Sequence, residues 1–399
     1  MMRVLFLSSV FPQPHDPTRG IYCLKLLEAL SRDHEVKVIS PWSWTWGLRS
    51  AIRGGGMGVD LQVERARLDT RYPCYYYPPG LLKDLHGWLM WISSQAALRR
   101  MLTDFSPECI LSYWAHPDGE AALRAARSIG VPMALIIGGS EVLLMTQQPA
   151  CRRRFLGVLR AADALLPVSR DLKLKTEALG ISPDKVHVVY QGVDRELFSP
   201  GSQAESRRRL GLAVKGKVLL WVGRMVPVKG LDFLLQACSI LRARDIDFRL
   251  YLVGDGPQRK PLEAQAASLG LAGFVVFAGA QQNERLPDWY RAADLTVLPS
   301  RSEGIPNVLR ESLACGTPFV ASRVGGIPEI AHLELNRLVP PEDAGQLAEA
   351  LHECLSAPLP CTASDSASAR SHDDAATDMA TLLGHLGRGR ARAECRPSC

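Results

Sequence analysis

Residues 301–330 read RSEGIPNVLRESLACGTPFVASRVGGIPEI, directly after the short apolar run LTVL at 295–298. The order is apolar run, Ser/Arg/Gly loop, helical pattern and a second apolar run at Phe319–Ser322, which is how a parallel sheet covered by helices is written. Asn307 is suited to cap the helix. Two carboxylates belong to this unit, Glu303 in the loop and Glu311 eight residues later within the helix. The stretch Gly304, Ile305, Pro306, Asn307 and Val308 opens that helix. Its amides, with the positive end of the helix dipole, offer a place for negative oxygen atoms.

The same alternation extends outward in both directions. In the second half, strands are expected at Val218–Gly223, Phe248–Val253, Val275–Ala278, Leu295–Leu298 and Phe319–Ser322. In the first half they are expected at Arg3–Ser8, Val36–Ser40, Cys109–Tyr113, Met133–Ile137, Ala164–Val168 and Val186–Tyr190. The segment FSPGSQAESRRR at 198–209 interrupts both patterns, so the domains are expected at 1–199 and 200–356. Residues 357–399 turn to Ala, Ser, Asp and Arg and read as a low-complexity, disordered tail. Within it only Met379–Leu386 could make a short helix.

Composition agrees with two domains. The chain has 399 residues, 47% of them hydrophobic, enough for two separate cores. There is no apolar run of about 18 residues, as a membrane-crossing helix would need. The start, MMRVLFLSSVFPQP, is interrupted by Pro12 and Pro14 and reads as a buried strand, not a signal peptide. Ten cysteines are scattered without a CxxC pair, the usage of a reduced, cytoplasmic protein, and no histidines fall at metal-ligand spacing. No metal and no cofactor are expected. Residues 1–200 carry 24 Lys/Arg against 19 Asp/Glu, without the dense basic stripe that nucleic acid would require. Trp42, Trp44, Trp46, Arg49 and Arg53, then Trp88, Trp91, Arg99 and Arg100, suit a peripheral contact with an anionic membrane or an ordinary core with a solvated face.

Arg224 and Lys229 follow the strand at 218–223, in the kind of loop where an open parallel sheet presents its ligand edge. Elsewhere such residues are mostly solvated charges. At a separation of about 4 Å and an effective dielectric of about 20, each would contribute on the order of 4 kcal/mol toward a phosphate oxygen before desolvation. Paired carboxylates usually suggest glycoside hydrolysis. Here they span a loop and a helix beside cations, which suits transfer from an activated donor better.

Three further stretches belong with 301–330: VGRMVPVKGLDFLL at 222–235, LVGDGPQRKPLE at 252–263 and YQGVDRELFSP at 190–200. Together they resemble the donor-site signature of family-4 retaining glycosyltransferases, and the resemblance covers roughly Arg3 to Ser356. It implies the α/β GT-B fold, two Rossmann-like doubly wound domains facing each other across a cleft. The first would bind the acceptor and the second the donor. By the same resemblance, Arg224 and Lys229 bind the departing diphosphate near Gly223, Glu303 holds the sugar, and Glu311 accepts from ribose hydroxyls. Gly20 brings its backbone to the donor phosphate, and its neighbour Arg19 stands where the family often has a second glycine.

IIGGSEV at 136–142 aligns with the family's His-Gly-x-Asp region, but Gly138 replaces the histidine and Glu141 the aspartate. His116, in SYWAHPDGEAA, is the nearest candidate for the acceptor side, with Arg19 and Glu141 as further candidates there. The C-terminal helix with aromatic residues that crosses back to the first domain in the family has no visible counterpart. Two weaker motifs read as turns: Asp245-Ile246-Asp247, which mimics a metal-binding DxD, and GDGP at 254–257.

The expected activity is retaining, metal-independent transfer of a sugar from a UDP- or GDP-linked donor to a glycan or lipid-linked glycan. This would take place in the cytoplasm, at the inner membrane face, in cell-envelope or exopolysaccharide assembly. The alternatives are a catalytically impaired nucleotide-sugar-binding protein or partner subunit, and an epimerase on the same fold.

Overall fold

A computed structural model of the chain describes residues 1–394 except 15, 17, 18, 47, 49–60, 66, 67, 140–148, 333 and 357–369. For 61–65, 149, 150 and 388–394 it describes the backbone alone. The chain forms two compact units, Met1–Gly192 with His372–Cys399, and Val193–Ser371.

The first unit is built on a seven-stranded sheet. Its members are β1 (Arg3–Leu7), β2 (Glu35–Ile39), β4 (Leu61–Arg65), β5 (Leu68–Tyr72), β7 (Cys109–Tyr113), β8 (Met133–Ile137) and β9 (Ala164–Pro167), in the order β4-β5-β2-β1-β7-β8-β9. All pairs are parallel except β4 with β5, and a separate two-stranded pair joins β3 (Trp42–Ser43) to β6 (Cys74–Tyr75). The central strands CILSY and MALII are buried along their whole length, because helices cover both faces. Val186–Tyr190 does not become a strand. It makes a single bridge from Val186 to Leu165 and two backbone bonds, from His187 to Leu165 and from Val189 to Pro167.

The second unit carries β10 (Val218–Val222), β11 (Arg249–Val253), β12 (Val275–Gly279), β13 (Leu295–Leu298), β14 (Phe319–Ser322) and β15 (Arg337–Val339), all parallel, in the order β12-β11-β10-β13-β14-β15. Both sheets are Rossmann-like. The turn expected at Asp245–Asp247 lies between the helix Leu231–Ala243 and β11.

Two expectations need correction. The break between units falls at Gly192/Val193 rather than at 199/200, because Val193 and Phe198 are buried in one apolar cluster with Leu220 and Tyr290. The stretch Gln203–Arg209 is a helix of the second unit, capped by Ser202, not a linker. The expected disordered tail contains the helix His372–Glu394. Ala375, Ala376, Met379 and Leu383 come round to one face of it at helical spacing and are buried in the first unit's core, and Arg32 grips Asp373 at 2.6 and 2.7 Å. The buried face is alanine, methionine and leucine, so an aromatic search passes over it.

Candidate donor site

Strands β10 and β13 are parallel neighbours, so the loops leaving their C-terminal ends open on one edge of the sheet. The first loop carries Gly223, Arg224 and Lys229, and the second carries Glu303 and leads into the helix Asn307–Ala314. The loops meet at an ion pair. Lys229 Nζ lies 2.6 Å from Glu303 Oε1, and the same oxygen accepts from Ser300 Oγ at 2.7 Å. The pair is partly enclosed, with 23% of the lysine and 10% of the glutamate side chain exposed. Arg224, by contrast, is exposed and has no side-chain partner among the described residues.

Arg301, absent from the expected site, clasps these loops. Its amide donates to Val228 O at 2.8 Å, and its guanidinium binds Asp232 at 2.7 Å, Glu342 at 2.5 Å and the Pro227 carbonyl, above the ring of Phe233. With its charge spent on protein acceptors, Arg301 fixes the frame around Lys229 and Arg224. A second support lies beneath Glu303. Gly325 has φ +55, a side chain on it would overlap the Glu303 carbonyl oxygen, and the next amide, of Gly326, donates to Gly304 O at 2.7 Å.

Asn307 is not the helix cap. Pro306 holds that position with extended backbone, Asn307 is the first helical residue, and its Oδ1 accepts from Arg310. The amides of Gly304, Ile305, Asn307 and Val308 at this helix start donate to no described residue. One turn further on, Glu311 accepts from the Tyr290 hydroxyl at 2.7 Å. Burial pushes the Glu311 carboxyl above its ordinary value, against the opposing pull of that bond and of the Arg310 charge.

In the first unit, Gly20 has φ +63 and begins the helix Ile21–Leu30; a Cβ on it would stand 2.7 Å from the Val10 carbonyl. Arg19 reaches to 3.5 Å from Ser9 Oγ. Beneath this loop the fully buried Asp118 accepts from Ser8 Oγ at 3.0 Å and from the Ser9 amide. Burial raises its carboxyl, against those bonds and the Arg19 charge.

His116 itself is 3% exposed, with Nε2 2.7 Å from Lys83 O and Nδ1 3.4 Å from Glu120. The acceptor-side role expected for His116 is therefore corrected to an internal contact between segments. Burial favours a neutral Glu120, but the bonds from His116 and Arg124 outweigh it and lower the carboxyl. At Gly138 the space that a side chain would need is taken by the Tyr113 hydroxyl and ring. Glu141, Arg49 and Arg53 lie outside the described residues. Among the described residues no group of three His, Cys, Asp or Glu is arranged to hold a metal ion.

Residues 216–357 match the family described as Glycosyl transferases group 1, and residues 20–192 match the Glycosyl transferase 4-like domain. The D-inositol 3-phosphate glycosyltransferase of Acidothermus cellulolyticus is 38% identical over 54% of this chain, and the match spans 52% of that relative's length. TuaC of Bacillus subtilis, named for teichuronic acid biosynthesis, is 28% identical over 88% of each chain. The structure of HepE from Anabaena in complex with UDP and glucose superposes with a TM-score of 0.73 at 19% identity, covering 96% of this chain and 100% of that one, a likeness of fold. With two parallel Rossmann-like sheets, and with both halves matched, the chain belongs to the group 1 glycosyltransferases, family 4, of GT-B fold.

Proposed function

We propose that this chain transfers a sugar from a UDP- or GDP-linked donor to a glycan or lipid-linked glycan, with retention and without a metal ion, in cell-envelope or exopolysaccharide assembly. The observation that carries the reading is the Lys229–Glu303 ion pair at a sheet edge whose two loops also carry Arg224 and the amides of Gly304, Ile305, Asn307 and Val308, which donate to no described residue. A nucleoside diphosphate leaving an anomeric carbon needs positive groups already in place, because fixed dipoles and charges need no reorganisation as the bond breaks. Here two cations and a helix start supply them. Asp245 and Asp247 sit just before β11, at the opposite end of the strands, which favours cation-based over DxD-based phosphate binding. Glu303 is bonded to Lys229 and Ser300, and in this reading it holds sugar hydroxyls once phosphate has taken the lysine. Front-face substitution is the route we favour, as the family resemblance implies.

The catalytically impaired reading draws on Gly138, where Tyr113 fills the space of the family's imidazole. Mass spectrometry after incubation with a panel of nucleotide sugars and membrane extract separates the two. One hexose-extended lipid product supports transfer, and nucleotide binding with no product from any donor refutes it.

The acceptor side is proposed to work at the inner face of the membrane. Tyr76, Leu81, Leu82, Trp88 and Ile92 are exposed, with Trp88 and Ile92 one turn apart on the helix His86–Ser93, and Tyr76 is tied to that helix by a bond from its amide to Ser93. Lys83, Arg99 and Arg100 are exposed nearby in sequence. Trp42, in contrast, is buried, with its indole nitrogen bonded to Tyr72 O. No helix among the described residues is long and apolar enough to cross a membrane. Co-sedimentation with phosphatidylglycerol vesicles, lost on Leu81→Ser with Trp88→Ser, is the expected result; equal sedimentation of the variant rejects this surface.

A further inference from the structure

A buried phenol of the second unit bonds one of the two carboxylates singled out above. Tyr290, on the helix Leu286–Ala292, is fully buried, with its ring edge toward Phe198 at 6.0 Å between centroids. Its phenol donates to Glu311 Oε2 at 2.7 Å. Its main chain is fixed as well. The Tyr290 carbonyl accepts from Thr317 Oγ1 at 2.7 Å, the Thr317 amide donates to Ser312 O at 2.9 Å, and Ser312 Oγ donates to Thr317 O at 2.8 Å. Glu311 and Ser312 are consecutive on one helix, so this closed set of bonds holds phenol and carboxylate from both sides.

The two oxygens of Glu311 are consequently unequal. Oε2 always has a donor, since burial, and after it the Glu311 charge, push the Tyr290 hydroxyl well above its ordinary value and keep it protonated. Oε1 has no hydrogen-bond partner among the described residues. An ionised carboxylate oxygen can only accept, so an open Oε1 suits a ligand that brings hydroxyl donors, such as the vicinal diol of a ribose. We infer that Tyr290 is a positioning residue, clamping Oε2 of Glu311 so that Oε1 alone meets a ribose hydroxyl of the donor nucleotide. This rests on the donor-site reading above. A phenylalanine would fill the same space, so packing alone does not account for the hydroxyl.

The test uses the full chain and calorimetric titration with UDP and GDP and with their 2′,3′-dideoxy counterparts. Tyr290→Phe is expected to weaken binding of the ribonucleotide about fivefold to tenfold, the scale of one ordinary hydrogen bond, and to leave the dideoxy compound within about twofold. A pH profile adds a second readout. Loss of the phenol removes a bond that holds the Glu311 carboxyl down, so the acid limb of UDP affinity moves to higher pH in the variant. Equal effects on both nucleotides, with an unmoved acid limb, mean that Tyr290 only packs, and overturn the inference. If the unaltered chain binds neither UDP nor GDP, the donor-site reading itself falls. Should Tyr290→Phe not fold, Glu311→Gln decides. The clamp gives the amide oxygen to the phenol and turns the amide nitrogen toward the ligand, so preference for ribose over dideoxyribose is lost; a retained preference refutes the clamp.

Discussion

Glu303→Gln is expected to bind nucleoside diphosphate more tightly than the unaltered protein while transferring sugar more slowly. The Glu303 carboxylate occupies Lys229 at 2.6 Å, so an incoming diphosphate must displace one anion from the cation it needs. A phosphate oxygen about 4–5 Å from that carboxylate is opposed by about 3–4 kcal/mol at an effective dielectric of about 20. The pair is partly exposed, and solvent reduces the net effect to about 1–2 kcal/mol, a factor of about 5 to 30 in affinity. Glutamine keeps a partner for Ser300 and removes the charge alone. Titration with UDP or GDP at low salt should therefore show a dissociation constant lower by that factor, with the difference shrinking at high salt. Transfer from the intact donor should fall about 100-fold or more, as for other groups whose charge matters most in the transition state. Unchanged or weaker diphosphate binding by the variant refutes the idea that Glu303 competes for Lys229.

Glu311→Gln should raise stability at neutral pH by on the order of 1 kcal/mol while weakening donor binding. Its folded carboxyl lies above the ordinary 4.5, so the native state holds the proton more tightly than the unfolded chain; the stability from that proton is complete below 4.5 and lost as pH rises through the folded value. Unfolding curves at pH 4 and pH 7 check this, and an advantage that is the same at both pH values contradicts it. Gly325→Ala should cost about 2–4 kcal/mol, from strain at positive φ and overlap with the Glu303 carbonyl, with transfer lost before the fold. A variant with full activity and unchanged melting would count against the turn as the support of Glu303. Leu383→Asp should destabilise the first unit by about 3–5 kcal/mol through an unpaired buried charge, whereas Thr381→Asp, at an exposed position, should be near neutral in the same denaturation experiment.

The sequence was most legible where strands are buried on both faces. CILSY, MALII, LTVL and FVAS form strands with the bounds their apolar runs suggest, because a central parallel strand has no solvent face to vary its composition. LQVER at the sheet edge and LDTRY beside it were not expected as strands because their apolar residues alternate with polar ones. The C-terminal helix escaped for a related reason, since small residues bury well against another helix without forming a hydrophobic run.

By itself the sequence determined the alternating α/β order and the family through its spaced motifs, and it singled out Arg224, Lys229, Glu303 and Glu311 as candidates for the chemistry. Only the tertiary structure decided what those residues do to one another. The Lys229–Glu303 pair spans 74 positions, the Arg301–Glu342 contact 41 and the Tyr290–Glu311 bond 21, while a local pattern reports only on neighbours within a turn or a strand. It likewise put the buried Asp118 beneath the first loop, set His116 against the Lys83 carbonyl, and showed Tyr113 in the space beside Gly138. Charges and hydroxyls acquire partners when strands pair side by side, and the order of those strands is set by the burial of the whole sheet.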